Sequence, residues 1–193
     1  MSDSLQYPPG TSPMYEELLQ YLQGRKAVPQ LRVSYLPDGV LGRFEANSAF
    51  GKELPPEGVL SIGEGTGAGP SDIRKTLAHE LAHAAERQLT NQYFDMPRGE
   101  RSSNQFGQAM QKLVIGDDPK LPARQAQAAK LAGPGWVEKN RGYRASGAEL
   151  SAFGAGSTDA RNRGNPAPQH VDPTMATELA ILLELASRQR PAK

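Results

Sequence analysis

The chain contains no cysteine, so its fold rests on no disulfide and a bound metal cannot be held by a thiolate cluster. Imidazole and carboxylate remain as ligands. Charge of one sign is also lacking: 22 basic residues against 21 acidic ones leave +1, no field to gather nucleic acid or an anionic membrane. The basic residues between Arg141 and Arg163 lie among glycines and small residues without the interleaved aromatics of a base-stacking surface, and read as solvated. No stretch approaches the roughly 18 apolar residues of a membrane span. Met1 to Pro13 has neither the basic start nor the apolar core of a signal peptide. The expectation is a cytosolic product, and the absence of cysteine also suits a protein exported by a signal-independent route.

At 193 residues the chain is long enough for one domain with its own core; nothing requires oligomerisation, and a monomer is compatible with the sequence without being selected by it. The division read is a flexible leader at 1–13 and a single domain at 14–190. A first helix is expected from Met14 to about Arg25, with Leu18, Leu19, Tyr21 and Leu22 at helical spacing. Leu31 to Leu36 alternates like a strand, Pro37-Asp38-Gly39 reads as a turn, and Val40 to Ala46 as the partner strand of a hairpin. Gly58 to Gly63 is a third strand, with Val59 to Ile62 expected at the sheet edge beside a cleft. The glycine-rich stretch Gly63 to Pro70 lacks the Gly-Lys-Ser/Thr ending of a phosphate-binding loop and reads as a flexible rim.

The segment after that loop carries the chemistry. Two of the three histidines stand in His79-Glu80-Leu81-Ala82-His83, an HExxH sequence inside an expected helix from about Ser71 to Thr90, with Ser71 or Asp72 as N-cap. The spacing puts two imidazoles one turn apart on one face, where they can grip a zinc ion, with a carboxylate between them. Thr76, Leu77, Ala78, Leu81, Ala82, Ala84 and Ala85 are uncharged, so the turn can sit inside the protein. The bland alternative is a helix with two ordinary histidines and a surface glutamate.

Beyond the motif, 91–105 reads as irregular, Phe106 to Val114 and Pro122 to Leu131 as short helices, and Ser146 to Ala155 as a further helix. Asp172 as N-cap and Pro173 at the first helical position open an amphipathic helix to about Arg188. The fold class expected is α+β, with a short mixed sheet, the HExxH helix and a mainly helical C-terminal half.

From Thr76 to Ala85 the sequence resembles the zincin metallopeptidases. The resemblance implies a zinc hydrolase acting on a protein or peptide substrate, with metal-activated water and Glu80 as general base. The zincin branch with HExxHxxGxxH is excluded, because Glu86 and Leu89 stand where it needs glycine and the third ligand. The gluzincin branch takes a glutamate from a second helix, and Glu149, among the small residues of Gly147 to Ala152, is the leading candidate for that third ligand. The match departs at Phe153, where that branch often carries an aspartate. Asp159, Glu178 and His170 stay open as alternatives. If Glu149 ligates, His170 or Tyr143 is available to stabilise an oxyanion; both also have plain structural readings. Small zincins of this kind include secreted effectors and phage-associated peptidases. A zincin-like binding or structural module without proteolytic activity is the competing reading.

Overall fold

A computed structural model describes residues 5–9, 12–37, 40–46, 54–64, 70–111, 122–123, 125–126, 130, 152, 155–156 and 174–189. Within them the chain is α+β, with a three-stranded mixed sheet and five helices. Helix α1, Pro13–Gly24, begins where expected: Ser12 is buried, its Oγ accepts from Tyr15 N–H at 3.4 Å, and Pro13 opens the first turn. The helix buries Met14, Tyr15, Leu18, Leu19, Tyr21 and Leu22. The segment before it is tied down as well. Leu5 N–H donates to Leu31 O at 3.1 Å, and the Tyr7 and Tyr15 hydroxyls donate to Pro29 O and Pro8 O, each at 3.0 Å.

The sheet is built differently from the hairpin read in the sequence. Strands β1 (Gln30–Ser34) and β2 (Gly42–Glu45) do not pair with one another; β3 (Val59–Gly63) lies between them, parallel to β1 and antiparallel to β2. The expected edge strand Val59 to Ile62 is therefore the central one. Its composition explains the placement, because Val59, Leu60 and Ser61 are all buried, a run that suits a strand covered on both faces better than an edge. Turn chemistry at 37–39 carried the hairpin reading, but a local turn cannot stop a more apolar strand from inserting.

Helix α2, Pro70–Asp95, begins one residue earlier and ends five residues later than the 71–90 expected. Ser71 and Asp72 are helical, so neither is the N-cap, and proline stands at the first helical position, where its missing N–H costs nothing. At its other end α2 continues through Tyr93, which is buried and pulled into the core, so 91–95 is helical rather than irregular. Short helices α3 (Arg98–Arg101) and α4 (Gln105–Met110) follow, and Asn104 Oδ1 caps α4 by accepting from Gly107 N–H at 2.9 Å. Residues 122, 123, 125, 126, 130, 152, 155 and 156 have helical backbone, in keeping with the helices expected there. Helix α5, Thr174–Ser187, agrees with the amphipathic pattern; Asp172 and Pro173 lie outside the described residues.

One core joins these elements. Helix α2 touches α1, α4, α5, β2 and β3, and Leu77, Ala78, Leu81, Ala82, Ala85 and Leu89 on it are essentially solvent-free. The carbonyl of Ala186 near the end of α5 accepts from Arg25 Nη2 at 2.8 Å and from Gln92 Nε2 at 3.1 Å, so side chains from the ends of α1 and α2 both meet the last turn of α5. No helix among the described residues is long and apolar enough to cross a membrane.

One like-charge contact works against the packing of α1 on α5. Burial and the nearby Glu184 carboxylate push the Glu17 carboxyl above the usual glutamate range. A raised folded-state pKa means that stability is fully present below the unfolded pKa and falls as pH rises through the folded value. Glu17→Gln is expected to stabilise the protein at pH 7 by on the order of 0.3 kcal/mol, the scale of a surface like-charge pair. The gain should vanish near pH 4 when melting temperatures of the two proteins are compared at both pH values.

Candidate metal centre

The HExxH turn lies in the middle of α2. Its two imidazoles meet as the spacing predicts: His79 Nε2 and His83 Nε2 are 3.3 Å apart, with the rings edge to face at 4.9 Å between centroids. Tetrahedral coordination at a zinc–nitrogen distance of about 2.0–2.1 Å sets two nitrogen ligands about 3.3–3.4 Å apart, so this pair already has the bite that a zinc ion requires. A carboxylate stands behind one of them. Glu86 Oε2 is 3.7 Å from His83 Nδ1, too long for a hydrogen bond. Glu86 was a reason to exclude one zincin branch. Its position three residues beyond His83 puts it on the same helix face.

Glu80 is not the surface glutamate of the bland reading. It is only 7 % exposed, and its Oε2 accepts a 2.7 Å hydrogen bond from the backbone N–H of Phe44. A buried carboxylate is costly unless donors compensate it, and a short bond from a backbone amide is among the stronger compensations. Strand β2 supplies that amide from the edge that β3 does not use, since the Leu41 carbonyl on the opposite edge accepts from Gly63 N–H. Gly42 lets the strand approach this closely. A Cβ there would overlap Thr76 Cγ2 and stand 3.2 Å from Glu80 Cγ. Nothing in the sequence pointed to Phe44, because 36 residues separate donor and acceptor.

A second glycine touches α2 on the His79 side. A Cβ at Gly156 would lie 2.8 Å from Lys75 O and 3.5 Å from His79 Cβ, and the neighbouring Ala152 and Ala155 are wholly buried. Of the small residues expected to let a later helix close on the motif helix, Ala152 is buried, and Gly147, Ala148 and Ser151 lie outside the described residues.

Among the described residues no group of three or more His, Cys, Asp or Glu side chains is assembled that could hold a metal ion. Glu178, on α5, is thus not brought to the histidine pair. Glu149, Tyr143, Asp159 and His170 lie outside the described residues, as do Phe153 and most of the glycine-rich loop at 65–69. On the next turn after His83, Arg87 Nη1 is buried and has no hydrogen-bond partner among the described residues.

The contact at Gly156 leaves no room for a branched side chain. Gly156→Val should cost about 1–3 kcal/mol of stability through overpacking against the Lys75 carbonyl. The midpoint of urea unfolding checks this, and an unchanged midpoint would show that the turn does not bear on α2.

Comparison with protein-family models, with curated proteins and with solved structures gives no match to the chain.

Proposed function

We propose that the chain is a zinc-dependent metallopeptidase of gluzincin-like design, in which His79 and His83 hold the metal and Glu80 is the general base. The observation that carries this reading is the 3.3 Å approach of the two Nε2 atoms, the bite of a tetrahedral zinc site, on the turn that also buries a carboxylate. A purely structural metal site has no use for a buried general base. A bound zinc ion would acidify a coordinated water and polarise the scissile carbonyl. The protein's own part is then to hold the two imidazoles, to take the proton of the attacking water onto the Glu80 carboxylate and to return it to the leaving amine.

For the third ligand we favour Glu149. Support comes from its sequence distance to the two small residues that close on α2: Ala152 and Gly156 follow it by three and seven residues, the spacings that share one helix face, and Gly156 packs against the backbone of Lys75 and the Cβ of His79. Asp159 and His170 are the alternatives that the sequence retains. For the oxyanion the chain offers His170 and Tyr143.

The test separates metal binding from chemistry. Zinc content by atomic spectroscopy and hydrolysis of an unbiased peptide library are measured for wild type, Glu80→Gln, His83→Ala and Glu149→Gln. Glu80→Gln is expected to keep its zinc and lose hydrolysis by at least about 100-fold, the lower range for loss of acid–base catalysis. His83→Ala and Glu149→Gln should lose zinc affinity and hydrolysis together. A Glu80→Gln protein that cleaves at the normal rate removes the mechanism. A zinc-loaded wild type that cleaves no peptide in the library leaves the zincin-like binding module as the reading.

A further inference from the structure

We propose that the backbone amide of Phe44 is the positioning group for the general base, and that Gly42 is the residue that lets β2 deliver it. The inference rests on the peptidase reading of the same site and adds to it a part of the machinery contributed by the sheet. Three observations combine. The Phe44 N–H donates to Glu80 Oε2 at 2.7 Å from the strand edge that β3 does not use, so the bond is made at no cost to the sheet ladder. Glu80 is buried, so a bond from an amide fixed in a strand acts in a medium where it is stronger than in water. A side chain at position 42 would meet Thr76 Cγ2 and Glu80 Cγ and come within 3.4 Å of Glu80 Oε1, pushing the strand away and crowding the second carboxylate oxygen.

A glutamate on a helix has three side-chain torsions, and a proton acceptor must occupy one arrangement of them to act within hydrogen-bond reach. The α2 backbone determines where the Glu80 Cα stands. The Phe44 amide determines where its carboxylate stands. Because the amide belongs to the sheet, the geometry of catalysis depends on the packing of β2 on α2, while the histidine pair depends on α2 alone. Disturbing β2 should therefore lower turnover and leave zinc in place.

Two kinds of variant test this in the full chain. In the first, Phe44 is replaced by its α-hydroxy analogue, so that an ester oxygen stands where the amide N–H was and the ring is kept. Turnover is expected to fall about 10- to 100-fold, the effect of losing one hydrogen bond to a charged group, with zinc content unchanged and KM within about twofold. In the second, Gly42→Ala is expected to lower kcat comparably, and Thr76→Ser, which removes the methyl group in the way, to restore most of that loss in the Gly42→Ala background. Retained kcat in either the ester protein or Gly42→Ala overturns the proposal.

The contact is also read without any turnover, from hydrogen exchange of the Phe44 amide by NMR in wild type and Glu80→Ala. Protection in wild type that drops at least about tenfold in Glu80→Ala supports the proposal, and equal exchange in the two proteins overturns it. A wild type that shows this protection but cleaves no peptide overturns the peptidase reading instead, so the two failures are distinguishable.

Discussion

Helix α2 is packed by its alanines. Ala78, Ala82, Ala84 and Ala85 are buried along with Leu77, Leu81 and Leu89, and neighbours come from the sheet, from α1 and from the C-terminal helices. Small side chains let other backbones come close to the helix axis, and the glycines at 42 and 156 carry this to its limit on two sides. The rest of the molecule is arranged around this helix. α1 covers one flank, α4 and α5 another, and the edge of β2 meets the turn that bears Thr76 and Glu80.

Such packing is what makes the polar residues of the motif informative. A helix surrounded on many sides would gain stability from an apolar residue at position 80, yet it carries a carboxylate that is almost wholly removed from water. The backbone amide of Phe44 donates to it, and the strand that provides the amide has a glycine where any other residue would hold it off. The two imidazoles are less deeply placed and face one another at a metal's bite, with Glu86 behind one of them. A buried carboxylate and two converging imidazole nitrogens are features that stability alone does not call for.

Much of the fold was legible from local pattern. Apolar spacing located α1 and α5, and the alternating and apolar stretches located all three strands within one or two residues. Pairing was not legible. Residues 31–36 and 40–46 look like a hairpin because they are close in sequence, but β3 buries three successive residues and gains more from the centre of the sheet than either neighbour would. The length of α2 was underestimated because Asn91 and Gln92 look like a polar stop, whereas Tyr93 has a place in the core and Gln92 binds the carbonyl of Ala186.

For the site, sequence alone determined the histidine pair, because i, i+4 spacing on a helix brings two rings together whatever surrounds it. Only the tertiary structure decided that Glu80 is buried, that β2 rather than β3 carries the unpaired edge, and that a backbone amide from Phe44 meets the carboxylate. The reason is physical: helical periodicity acts over one or two turns, whereas the approach of β2 to α2 joins residues 36 apart through a strand order that no local pattern encodes.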